Sequence, residues 1–223
     1  MDVKAELLDV DGTLVQSNDE HAWAWVRALE PFGFDVTFEQ VRRWIGMGGD
    51  KVLPKVDPSL HAGTEPADSI GRLRQRIFLN EYAAQLQPTP GARALLERLR
   101  ADGILRVVAT SAKRQELDAI LKAARLDEEI DRATTSDDAG RSKPDPDIIE
   151  AALQKAGAGR AESFFLGDTP YDVTAAHTAG VLVVAVRCGG WREPELSEAD
   201  AIYDTPADFL AHLDEFLTKA CGA

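Results

Sequence analysis

The chain has 223 residues, 44% hydrophobic and 28% charged, a balance ordinary for a globular protein and long enough for one large α/β domain or a core with a smaller second domain. A formal net charge of −13 repels nucleic acid and anionic membrane surfaces, so neither is expected as a partner. No apolar run approaches a membrane span, the N-terminus enters a strand directly instead of a basic-then-apolar leader, and Cys188 and Cys221 lack CxxC spacing or His neighbours; the expectation is a cytoplasmic protein with reduced thiols.

In chain order, the apolar run Ala5 to Val10 reads as a buried strand that ends in two carboxylates, Asp9 and Asp11, followed at once by Gly12. Asn18 or Asp19 can cap a helix through Leu29, ended by Pro31 and Gly33. A second helix is predicted from Phe38 to Ile45, then a glycine-rich turn at 46–49, a stretch of loop and short helix over 54–66, and a helix from Ala67 to Gln85. No strand pattern appears between residues 16 and 87. From Pro88 onward helices and strands alternate. Helices are predicted at Gly91 to Asp102, Arg114 to Ala124, Pro146 to Ala156 and Tyr171 to Ala179, followed in turn by strands at Leu105 to Ala109, Arg132 to Thr135, Ser163 to Leu166 and Val181 to Val186. A short strand at Ala201 to Tyr203 and a helix from Pro206 to Leu217 close the chain.

This alternation implies an α/β fold with a doubly wound parallel sheet, whose ligands sit at the carboxyl ends of the strands. The all-helical block reads as an inserted cap, so the expected domains are a core of residues 1–15 and 88–223 and a cap of residues 16–87. If strand ends mark the site, four clusters converge there: Asp9 and Asp11, Thr110 and Ser111, the run Gly167 to Asp172, and Lys143 just before a helix. Together they offer an oxygen cage suited to magnesium, a hydroxyl with backbone amides for phosphate, and one cation. A DxD could be a turn cap and GDTPYD a helix cap, but both in one chain at strand exits argue against that; Lys143 alone would be a surface lysine, a reading that its place before Pro144 reverses.

With these motifs in order, the chain resembles the haloacid dehalogenase superfamily, in its capped phosphatase branch. The resemblance implies a Mg²⁺-dependent phosphomonoester hydrolase acting on a small phosphorylated metabolite. Asp9 matches the family nucleophile, which forms an aspartyl-phosphate, and Asp11 the general acid/base, whose backbone carbonyl also reaches the metal. Asp168 matches the direct metal ligand and Asp172 an outer carboxylate. Thr110 and Ser111 would cradle phosphate oxygens, and Lys143 would tie Asp9 to the phosphate.

Substrate choice is expected to lie in the cap. His21, ten residues after Asp11, matches a histidine of related capped enzymes; a hydrogen-bonded cap histidine is the plainer reading. The segment Trp44 to Lys51 resembles the cap loop of phosphoglycolate phosphatases, where Lys51 could meet a substrate carboxylate or simply be a solvated lysine. A β-phosphoglucomutase-like phosphomutase is the nearest alternative, weakened by Gly49, which stands where the mutases carry an arginine. A non-catalytic receiver-like or phospho-ligand binding module is the other alternative; such modules have no large helical insertion after the first strand.

Overall fold

A computed structural model of the chain describes residues 3–222, without the side chains of 221 and 222. Six parallel strands form the main sheet in the order β5-β4-β1-β6-β7-β8: β1 (Ala5–Leu8), β4 (Leu105–Ala109), β5 (Arg132–Thr134), β6 (Ser163–Gly167), β7 (Leu182–Val186) and β8 (Ala201–Tyr203). β1 is central, with β4 on one side and β6 on the other, in the registers Leu8↔Val108 and Leu8↔Leu166. The chain therefore reverses its direction of winding beside β1, and a crevice opens at the carboxyl ends of these three strands.

Period-two alternation sends successive strand residues to opposite faces, and both faces are covered. Leu8, Val108, Leu166 and Val184 pack on one face with Leu95, Leu99, Leu117 and Phe209, which lie on α5 (Ala92–Ala101), α6 (Arg114–Ala124) and α10 (Pro206–Gly222). Leu7, Val107, Phe165 and Val183 pack on the other with Ile149, Leu153 and Val173, from α7 (Asp147–Ala156) and α8 (Pro170–Ala179). The predicted α/β doubly wound sheet is thus present, with element ends shifted by a residue or so and α10 extended five residues beyond Leu217. A short helix, α9 (Glu193–Leu196), precedes β8.

Between β1 and β4 the chain is helical: α1 (Asn18–Leu29), α2 (Phe38–Arg42), α3 (Gly49–Val56) and α4 (Ala67–Ile77), the last continued by a π turn at Phe78–Tyr82 and a 3₁₀ turn at Ala83–Gln85. Two short strands, β2 (Val15–Gln16) and β3 (Gln87–Pro88), pair antiparallel where this block leaves and rejoins the sheet. They correct the expectation of no strand over residues 16–87; two residues are too few to show alternation. α3 was also not foreseen, because Pro54 lies inside it. In so short a helix that proline removes one bond, to the Asp50 carbonyl. No helix among the described residues is long and apolar enough to cross a membrane. Cys188 is a free thiol, pushed up to about 12 by burial, and the Cys221 side chain lies outside the described residues.

One buried acid works against the fold. Glu6 in β1 is fully buried with neither carboxylate oxygen hydrogen-bonded, since Arg106, in register on β4, is engaged by Asp131 and the Glu129 carbonyl. Burial raises the Glu6 pKa well above the usual range. Below the unfolded-state value of about 4.3 both states are protonated, and as pH rises above it the folded chain loses stability. Glu6→Leu is expected to stabilise the protein by ~1–3 kcal/mol at pH 8 and by less at pH 5, measured by urea unfolding. Equal gains at both pH values would contradict the buried-proton account.

Candidate active site

The site begins where β1 ends. Asp9 follows Leu8 directly, and Gly12, at φ +82°, turns the chain beneath Asp168. A Cβ at Gly12 would stand 2.0 Å from Asn18 Nδ2 and 2.4 Å from Asp168 Oδ2, so only glycine permits this approach. Asp168 leaves the end of β6 and accepts from Asn18 Nδ2 (2.9 Å) and Thr13 Oγ1 (3.1 Å). Asp172 sits in the first turn of α8, in a reciprocal cap in which Thr169 accepts from the Asp172 amide. Its Oδ2 accepts from the amides of Asp168 and Thr169 and from Thr169 Oγ1. The GDTPYD run is therefore both a helix cap and part of the site: capping leaves Oδ1 of Asp172 free for Lys143.

Lys143 is 0% exposed and donates to Asp9 Oδ1 (2.5 Å) and Asp172 Oδ1 (2.7 Å). Asp9, Asp168 and Asp172 each bring an oxygen within 4.8 Å of the others. Burial, only partly offset by Lys143 and reinforced by Asp172 and Asp11, raises Asp9 to about 7. Burial and the Asp172 and Asp9 charges raise Asp168 well above the carboxylate range. Burial works against the Lys143 charge, but Asp172 and Asp9 outweigh it and hold its pKa high. Three carboxylates against one ammonium leave a shortage of positive charge that a hard, oxygen-binding cation would supply. The donor set therefore fits a divalent cation.

Asp11 points elsewhere. Its carboxylate lies outside this cluster and accepts from Ser17 Oγ (2.5 Å) and His21 Nε2 (2.8 Å). His21 Nδ1 lies 2.7 Å from Arg74 Nη2. Arginine has no acceptor, so Nδ1 accepts and Nε2–H is left to donate to Asp11. His21 is also stacked on Phe78, with ring centroids 3.9 Å apart. Burial acts to raise the Asp11 pKa, but His21, Ser17 and Arg74 outweigh it and hold the carboxyl below its usual value. Arg74 Nη1 in turn donates to both oxygens of Glu116, at 2.6 and 2.5 Å.

Above these groups lies a cavity of about 610 Å³, lined among others by Asp9, Asp11, His21, Trp25, Thr110 and Ser111. Thr110 Oγ1 accepts from the Ala112 amide (3.1 Å), and Ser111 Oγ donates to the Gly46 carbonyl (3.3 Å) across to the helical block. Lys143, Asp168 and Asp172 are fully buried and do not line the cavity. Of the sequence-predicted residues, only Lys51 neither lines the cavity nor joins the cluster around Asp9. Its ammonium pairs with Asp145 at 2.6 Å and it does not line the cavity, so its nearest anion is one of the protein's own. Arg74 and Glu116 were missed. Glu116 in the first turn of α6 is what the helix dipole favours anyway, and no local signal tells that its partner is 42 positions away.

The haloacid dehalogenase-like hydrolase family model matches residues 7–186. A phosphoglycolate phosphatase of Rhodospirillum rubrum is 32% identical over 209 residues, covering 90% of this chain and 87% of that protein. The crystal structure of a hydrolase from Pseudomonas syringae, 32% identical, superposes with a TM-score of 0.88 over 95% of this chain and 98% of that one. CbbY from Rhodobacter sphaeroides, solved in complex with phosphate, is 25% identical with a TM-score of 0.82 over 95% of this chain and 99% of that one. A family match over residues 7–186, which span the strand-end carboxylates, with a relative 32% identical over most of both chains, means that the chain belongs to the haloacid dehalogenase-like hydrolases and is one of the family's phosphatases.

Proposed function

We propose that the protein hydrolyses a small phosphomonoester through an aspartyl-phosphate on Asp9, in the manner of its phosphoglycolate phosphatase relatives, with Mg²⁺ as cofactor and residues 16–87 as a cap over a core of 1–15 and 88–223. The observation that carries this reading is the buried Asp9 carboxylate at the floor of the cavity, held at 2.5 Å by Lys143 and grouped with Asp168 and Asp172.

Asp9, Asp168, Asp172 and the Asp11 carbonyl would hold the magnesium. When bound, it neutralises the clustered carboxylates and the transferring phosphoryl group. Asp9 attacks phosphorus, and the new P–O bond forms as the ester oxygen leaves. Asp11 gives that oxygen its proton, then recovers one from the water that attacks the aspartyl-phosphate, which returns Asp9 and releases phosphate. The low Asp11 pKa suits the second half. A phosphate dianion bound beside it raises that pKa and suits the first. Thr110 and the Ser111 amide, which has no partner among the described residues, receive phosphate oxygens, and Lys143 keeps Asp9 aimed and offsets charge. His21 holds Asp11 in place, which gives it a positioning role beside its place in the cavity wall.

The test is phosphate release from 2-phosphoglycolate, sugar phosphates, polyol phosphates and nucleoside monophosphates. Release is expected with Mg²⁺, loss with EDTA by at least ~10³-fold, and recovery on adding Mg²⁺ back. Isomerisation of β-glucose 1-phosphate in place of release would point to a phosphomutase. Mg²⁺ is also expected to raise the Tm by binding only the folded chain.

A further inference from the structure

Arg74 is the half-buried guanidinium of the cavity wall, where a substrate carboxylate or second phosphate would look for a partner. Its terminal nitrogens are already engaged, and only the buried Nε has no partner among the described residues. Nη1 donates to both oxygens of Glu116 at 2.6 and 2.5 Å, and Nη2 is committed to His21 at 2.7 Å. Glu116 is 2% exposed, and among the described residues its carboxylate has no other hydrogen-bond partner. A substrate anion that displaced it would strand a buried charge, and one that sat beside it would meet like charge. The other cations on the wall are weaker substitutes: Arg72 donates to Glu65 and Ser69, and Lys113 is solvent-exposed, where water screens it. Asp50 and Asp68, also on the wall, add acceptors for hydroxyl groups and repulsion for anions.

We propose that Glu116 is a specificity determinant that occupies Arg74, excludes phosphomonoesters bearing a second anionic group, and leaves the cavity to uncharged, hydroxyl-bearing esters such as polyol and sugar monophosphates. This rests on the hydrolase reading above and narrows its substrate, away from the carboxylate-bearing phosphoglycolate of the relatives' names.

The experiment compares kcat/KM for glycerol 3-phosphate and 2-phosphoglycolate in wild type, Glu116→Gln and Glu116→Asp, with Mg²⁺ present. Wild type is expected to prefer the glycerol ester by at least ~10-fold. Glu116→Gln keeps the volume and an acceptor for Arg74 but removes the charge. It is expected to move the ratio toward 2-phosphoglycolate by ~10-fold or more, while Glu116→Asp keeps the wild-type order. A wild-type preference for 2-phosphoglycolate overturns the proposal, as does a Glu116→Gln variant that loses both activities equally, the mark of a purely structural ion pair. If no ester is hydrolysed, the hydrolase reading fails by itself, and charge selection is read from calorimetric binding of the same two esters. Tighter binding of the glycerol ester that Glu116→Gln evens out supports it, and equal affinities in wild type overturn it.

Discussion

Asp9→Asn is expected to lower kcat/KM for any phosphomonoester by at least ~10⁴-fold while leaving the Tm of the metal-free protein unchanged or higher. The amide has the shape of the carboxylate and can still accept from Lys143, so the floor of the cavity keeps its geometry. What it loses is the anion proposed to attack phosphorus. Because Asp9 stands within reach of Asp168 and Asp172, and burial with Asp172 and Asp11 already pushes it up to about 7 against the pull of Lys143, removing its charge relieves repulsion. Activity and stability therefore move in opposite directions. A general unfolding defect would move them together. The measurements are phosphate release and thermal unfolding on the same preparation; turnover within ~10-fold of wild type would show that Asp9 is not the nucleophile.

Lys143→Met is expected to be the most destabilising single change at the site, by ~3–5 kcal/mol without Mg²⁺, because it strands a buried group of carboxylates with no counter-charge. The replacement is apolar and of similar length, so the loss reports charge more than packing. The ammonium now answers both Asp9 and Asp172. Without it, Asp9 and Asp168, whose pKa values are already raised by burial and neighbouring carboxylates, bind protons still more readily. A group with a raised folded-state pKa favours the folded chain at low pH and loses that contribution as pH rises. The variant should thus be far closer to wild type at pH 5 than at pH 8, and saturating Mg²⁺ should restore part of the difference. Urea unfolding at the two pH values, with and without Mg²⁺, reads this directly. Equal stability of variant and wild type at pH 8 would mean that the buried ion pairs are not holding the site together. Catalysis should fall as well, by ~10²–10³-fold, through loss of a charge aimed at the transferring phosphate.

These two effects differ in kind from the Glu116 and Glu6 changes. Asp9 and Lys143 carry charge that the proposed reaction needs, Glu116 is proposed to act on which leaving group is admitted, and Glu6 carries a cost within the sheet with no hydrogen bond to the site. The cavity is shared by core and helical block: Asp9, Asp11, Thr110 and Glu116 come from loops and the helix start around the sheet, His21, Trp25 and Arg74 from the helices between β2 and β3.

The sheet, the helical insertion and the carboxylate cluster were legible in the sequence because each is written locally. An apolar run ending in Asp9, Gly12 after a pair of acids, a helix cap at Thr169 and Asp172, and strand–helix alternation are short-range patterns, and the rule that ligands meet at strand ends brings them together. Lys143 was legible only by its place before Pro144. Which distant side chains pair emerges only in the folded chain: Arg74 with Glu116, His21 with both Asp11 and Arg74, and Lys51 with Asp145, away from the cavity. Such partners are chosen by how the helical block lies against the sheet, through packing of Trp25, Phe78 and their neighbours. No local propensity encodes that choice, and so the residues proposed to select the substrate were less visible in the sequence than those proposed to transfer its phosphate.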